Sequence, residues 1–225
     1  MSDGACGMTS GLPLGLVDHR DSVAVNDLSY DPLWMHACLA YNLQLDVDEC
    51  TRAALSVAAE PLRASEPGLL VCPPSSYHIS VAALLPVREP DTVSKQARWS
   101  LKGEKWREQA AQVAARHAPY AVNFRRIVAT RAAVLAVAEE SSETFSLRND
   151  LAVTMGFSDA PIPQLTHVTL FRYRQPFLAP GLALAWMDLL RLDIGFRASQ
   201  LRLVREDVYP SVVLDLLATM PLSGT

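Results

Sequence analysis

Long apolar runs are missing from this sequence. The longest, such as Ala132 to Ala138, fall far short of the roughly 20 residues that a helix needs to cross a bilayer, so no membrane association is expected. Cysteine is scarce: the four, Cys6, Cys38, Cys50 and Cys72, contain no C-x-x-C pair. That spacing offers neither a zinc site nor a disulfide framework, and mostly buried, reduced thiols in a cytoplasmic protein are expected. A basic flank is absent from the N-terminus, where "MSDGACGMTSGLPLGLVDHR" has an acid and no base before its weak apolar patch, the reverse of a secretory signal. Positive charge is not in surplus either. A net charge of −4 argues against tight binding of long nucleic acid, which depends on many phosphate contacts.

What remains is the composition of a folded domain, 50% hydrophobic and 20% charged over 225 residues, long enough to bury a substantial core. The charge is uneven. Residues 1–87 hold three basic groups (Arg20, Arg52, Arg63) against ten acidic ones, whereas residues 88–131 hold ten basic against four acidic, a local excess of +6. Such an excess can steer a phosphate-bearing ligand; a solvated helix face is the plainer explanation for most of it.

Residues 1 to about 37 carry Gly, Pro, Asp and Ser without periodicity, which predicts a loosely ordered extension. From Leu39 the pattern predicts a strand, then a helix capped by Asp48 that Pro61 should end or kink. "GLLVC" and "YHISVAALLPV" read as strands stopped by prolines. A helix from Thr92 to about His117 places Trp99, Trp106, Ala110 and Val113 at helical spacing. Two strands follow with a turn near Thr130-Arg131, then a helix with Ser142 as cap and Gly156 past its end. After a Pro-containing loop comes the strand "THVTLFRY", then a helix in "GLALAWMDLLRL" and further strands. Short turns between strand pairs favour an α+β architecture with antiparallel sheets over a parallel doubly wound one.

Two of these strands carry matching chemistry. Side chains alternate faces along a strand, so His78 and Ser80 share one face while Ile79 and Val81 take the other. His167 and Thr169 share a face, with Val168 and Leu170 opposite. Each strand keeps an apolar side for a core and offers one imidazole and one hydroxyl to a cleft. Brought together, two imidazoles and two hydroxyls suit a phosphodiester. One neutral ring takes a proton from the attacking oxygen, a protonated ring gives one to the departing oxygen, and the hydroxyls hydrogen-bond the non-bridging oxygens. That set needs no metal and no cofactor.

"LLVCPPSSYHISVAAL" and "LTHVTLFRY" resemble the two signatures of the 2H phosphoesterases, the superfamily of bacterial 2′-5′ RNA ligases and cyclic phosphodiesterases. The likeness runs from residue 39 to about 215 and is firm at the two histidine strands. It implies a two-lobed, pseudo-symmetric α+β fold over residues 38–225, with antiparallel sheets lining a central cleft and helices outside. It further implies metal-independent chemistry on 2′,3′-cyclic or 2′-5′ phosphodiesters of a small nucleotide or RNA end. His78 and His167 become the acid–base pair, Ser80 and Thr169 the phosphate-binding hydroxyls, and Arg172 the arginine that often follows the second signature. A regular strand puts Arg172 on the face opposite His167, so it needs a bulge, a strand end or a long reach to touch phosphate. Phe171 shares the face of His167 and is placed to stack on a nucleobase; Tyr77 and Tyr173 flank the motifs as further stacking candidates, with core packing as their alternative. Two other readings stand beside this one: a nucleotide or RNA-end binding module that uses the same cleft without turnover, and a protein-interaction domain in which the motifs are coincidental and the basic helix and N-terminal extension engage a partner.

Overall fold

A computed structural model describes residues 20–88, 92–156, 163 and 165–224. The chain runs β1 (Ala37–Asp46), α1 (Glu49–Ser65), β2 (Leu69–Val71), β3 (His78–Leu85), α2 (Thr92–Ala114), β4 (Tyr120–Ala129), β5 (Val134–Ala138), α3 (Ser142–Met155), β6 (His167–Tyr173), α4 (Pro180–Leu189), β7 (Arg191–Ala198), β8 (Gln200–Val208) and β9 (Val213–Pro221). The strands form two sheets, ordered β3-β1-β8-β9 and β2-β6-β5-β4-β7, and every pairing is antiparallel. This is the α+β architecture expected from the short turns. The sheets are not consecutive in sequence, because the chain changes sheet between β1 and β2, β2 and β3, β3 and β4, and β7 and β8. Among the described residues no helix is long and apolar enough to cross a membrane.

One apolar core joins both sheets. Leu43, Leu45, Ile79 and Leu203 of the first belong to the same buried cluster as Phe124, Val134, Val168 and Leu170 of the second. The helices cover it with single apolar faces. On α1, Thr51, Leu55, Ala59 and Leu62 are buried at the three-to-four spacing of one helix face. On α2, Trp99 stacks on Tyr41 of β1 with ring centroids 3.9 Å apart, and Trp106, Ala110 and Val113 are buried below it.

Two local expectations about the helices change. Pro61 neither ends nor bends α1 out of its helical run, which continues to Ser65. Pro61 and Val57 both lie on the exposed face, so water can take the carbonyl that the missing N–H leaves open. Asp48 caps α1 as expected, accepting from the Thr51 amide at 2.7 Å. The cap of α3 is Ser141 rather than Ser142, its hydroxyl accepting from the Thr144 amide at 3.0 Å. Gly156 ends α3 in the left-handed region at φ 70°, where a Cβ is unfavourable.

The expected loose extension falls partly outside the described residues, at 1–19. Its remainder packs closely. Val23 is fully buried and Leu28 nearly so. The Asn26 amide accepts from the Phe177 amide at 2.9 Å and donates to the Phe177 carbonyl at 3.0 Å. Two apolar anchors and one bidentate asparagine hold a segment that has no periodicity to reveal it. Of the thiols among the described residues, Cys72 is buried, Cys38 half-buried and Cys50 exposed, so the expected burial holds for Cys72 alone; Cys6 lies outside the described residues.

Candidate active site

The two histidine strands meet across the gap between the sheets. His78, Ser80, His167, Thr169 and Arg172 line one cavity of about 230 Å³, with Asn42, Glu206 and Tyr209 on the remaining wall. The alternation read from sequence is what puts them there. Ile79, Val81, Val168 and Leu170 are buried on the core side, while the histidines and hydroxyls between them stay half-buried on the cleft side.

Each imidazole is held in the same way. The His78 Nδ1–H donates to the Ser76 carbonyl at 2.8 Å, and the His167 Nδ1–H donates to the Leu165 carbonyl at 3.2 Å. A ring that donates through Nδ1 leaves Nε2 as the nitrogen for proton transfer. The Ser76 carbonyl is presented by the Pro-Pro turn: Pro73 and Pro74 start a short 3₁₀ turn over Pro74–Ser76, and the Ser76 hydroxyl donates back to the Pro73 carbonyl at 2.7 Å. The turn also carries the chain from one sheet to the other. β2 pairs with β6, the Cys72 amide donates to the Leu170 carbonyl at 2.9 Å, and the next strand is β3 in the opposite sheet. The first motif is thereby tethered to the strand of the second.

Arg172 reaches the cleft because β6 is bulged. Thr169 pairs with Leu135 and Phe171 with Val134, leaving Leu170 without a partner on β5. The extra residue reverses the alternation. Leu170 and Phe171 are both buried, and Arg172 emerges on the histidine side. Its Nη1 donates to the Ala132 carbonyl at 3.4 Å and lies 3.9 Å from the Asp31 carboxylate. The guanidinium sits 5.7 Å from the Tyr209 ring centroid. Asp31 belongs to the segment expected to be loose.

The same reversal corrects the stacking assignment of the residues on β6. Phe171 does not share the His167 face; it is 1% exposed and faces the core. Tyr77 and Tyr173 are also core residues, and the Tyr173 hydroxyl donates to the Thr130 carbonyl at 2.7 Å. None of the three lines the cavity. The basic excess of α2 is not there either: Lys102 and Lys105 are exposed, and Arg107 pairs with Glu104 one turn away.

Burial pushes both imidazoles down. For His167 the result is about 4, with the Leu165 carbonyl opposing the shift and the charges of His78, Arg148 and Arg172 adding to it. For His78 burial again lowers the value, the Ser76 carbonyl raises it, Arg202 lowers it, Asp46 raises it and Arg172 lowers it. The two sites are therefore unlike. The charged groups acting on His167 are all cationic, whereas His78 has a carboxylate beside it, Asp46 being its partner across the β1–β3 ladder.

Sequence reasoning missed the residues that shape the rest of the cavity. Glu206 accepts from the Ser211 amide at 2.5 Å and from the Asn42 amide at 3.1 Å, anchoring the turn after β8 against the cleft. Burial raises its carboxyl, and these bonds oppose the rise. Arg148, on α3, donates to the Ser80 carbonyl at 2.8 Å and the Leu165 carbonyl at 3.3 Å. Neither residue stands in a motif, and the neighbours of Arg148 on α3, exposed Ser146 and half-buried Asn149 and Asp150, give it no local signal. Among the described residues no group of three or more His, Cys, Asp or Glu side chains is placed to hold a metal ion.

No protein-family model matches the chain, and no curated protein sequence does. Solved structures do. TT0787 of Thermus thermophilus superposes with a TM-score of 0.56 at 19% identity, covering 82% of this chain and 98% of that one. LigT of E. coli in its apo form gives 0.55 at 12% identity, with 82% and 98% covered. A structure described as a phosphoesterase gives 0.57 at 12% identity, with 82% and 99% covered. The chain has the fold of these structures, as the resemblance in its two signatures implied.

Proposed function

We propose that this protein is a phosphodiesterase that opens 2′,3′-cyclic or 2′-5′ phosphodiesters of a small nucleotide or RNA end by two-histidine acid–base catalysis. The observation that carries the reading is the convergence of His78, Ser80, His167, Thr169 and Arg172 on one cavity, with both Nδ1 atoms engaged by carbonyls. The likeness to E. coli LigT, whose structures include complexes with 3′-AMP, NADP+, ATP and phosphate, supports a nucleotide phosphate as the ligand.

The roles follow from the electrostatics. His167, pushed down to about 4, is neutral at pH 7 and acts as base: its Nε2 takes a proton from water as the water oxygen bonds to phosphorus. His78, beside Asp46, acts as acid once the bound anion raises its proton affinity. Its proton goes to the departing oxygen as that P–O bond breaks, leaving a monoester. Ser80, Thr169 and Arg172 hydrogen-bond the non-bridging oxygens as charge builds on them.

The test is a panel of 2′,3′-cyclic nucleotides and 2′-5′-linked dinucleotides, with product regiochemistry read by NMR. His78→Ala and His167→Ala should each lower turnover by roughly 10²- to 10⁴-fold while leaving the fold intact. For the parent, kcat/KM should fall as pH rises through neutrality, because the free protein holds His78 below its ordinary value and the acid must be protonated. Variants as active as the parent would overturn the assignment, and tight binding without product would make the cleft a sensor.

A further inference from the structure

Arg148 is an unusual residue to find where it is. It is 4% exposed, on a helix whose other buried positions are Thr144, Leu147 and Leu151. Among the described residues no carboxylate pairs with it; its partners are backbone carbonyls and one hydroxyl. Nη2 donates to the Ser80 carbonyl at 2.8 Å and to the Leu165 carbonyl at 3.3 Å, and Nη1 donates to the Thr166 hydroxyl at 3.4 Å. Its Nε–H is buried without an acceptor. A buried charge answered only by neutral dipoles is costly, and an apolar side chain of similar length would fill the space at lower free energy.

The partners give the arginine a purpose. Ser80 is the hydroxyl residue of the first motif, on β3. Leu165 is the residue whose carbonyl holds the His167 Nδ1–H, and Thr166 directly precedes β6. One guanidinium thus spans from the backbone of one motif strand to the backbone that orients the other imidazole, across the junction of two sheets that make no ladder with each other. A planar fork can hold such acceptors at fixed spacing; a single ammonium cannot.

We propose that Arg148 is a positioning residue of the phosphodiester site, fixing the distance between the two histidine strands and the tautomer of His167. The inference rests on the phosphodiesterase reading for its kinetic consequence, but not for its structural one. Its charge also acts on His167, together with His78 across the cleft and Arg172 on the same strand; Tyr120 of β4 is the titratable group facing Arg148 itself.

The experiment uses the full-length chain with Arg148→Met and Arg148→Lys. Steady-state rates are measured on a 2′,3′-cyclic nucleotide, and the His167 ring titration is followed by NMR, assigned with His167→Ala. Arg148→Met should lower kcat roughly 10- to 100-fold, the scale of an ångström misplacement, with KM changed less than about threefold, and should raise the His167 titration midpoint. Arg148→Lys keeps the charge but not the fork, so its His167 midpoint should stay near the parent's while kcat still falls. Parent-like kcat and parent-like His167 titration in the two variants, whatever happens to their stability, would overturn the proposal. If Arg148→Met does not fold, the Lys variant carries the test through kcat, a parent-like value overturning the proposal. If the parent turns nothing over, the phosphodiesterase reading fails separately, and the His167 titration still decides whether Arg148 sets that ring.

Discussion

At the scale of single residues, burial in the cleft holds both imidazoles toward their neutral form in the free protein. That has a cost in stability with a definite sign. The pKa of His167 is about 4 in the folded chain and close to 6.5 when unfolded. Between those values the unfolded chain binds more protons, so stability rises with pH across the window and is lost as pH falls through it. The full effect is about 3 kcal/mol, reached below pH 4. His78 adds to the slope in the same direction. Urea unfolding of the parent at pH 4.5 and 7 should therefore show a larger loss at low pH than the same comparison on His167→Gln. Equal losses in the two proteins would mean that the imidazole is not held neutral by burial.

At the scale of elements, legibility followed the physics of each signal. Alternation and helical spacing report burial directly, so helices α1 to α4, most strands and the pairing of each histidine with a hydroxyl could be read from the chain. Asp48 was legible as a cap because it stands directly before the helical pattern; Ser141 and Ser142 were not separable, since either hydroxyl can cap. The bulge at Leu170 had no signal of its own. It depends on how β5 and β6 register, and it decides that Arg172 rather than Phe171 enters the cleft. Arg148 was illegible for a similar reason, because its partners lie on segments far away in sequence. Pro61 shows the reverse failure, a strong local signal overruled by context: burial of Leu55, Ala59 and Leu62 on the opposite face keeps α1 together. A proline in that position still lacks a hydrogen bond, so Pro61→Ala should raise stability by about 2 kcal/mol, after allowing for the looser unfolded chain. Thermal unfolding checks this, and an unchanged or lower midpoint would show that the helix gains something from the ring.

At the scale of the whole molecule, the interleaved strands and the shared core make the two sheets one cooperative unit. Calorimetric and van't Hoff enthalpies of unfolding should agree, with far- and near-ultraviolet dichroism lost together; two resolved transitions would mean that the sheets fold independently. The four changes of sheet have a second effect. Backbone that passes to and fro across the gap acts like stitching through a spine, so the halves cannot swing apart as the covers of a book do. The space between the imidazoles is then a gauge of set width. What enters it must fit the span as built, and its entry need not wait on any hinge.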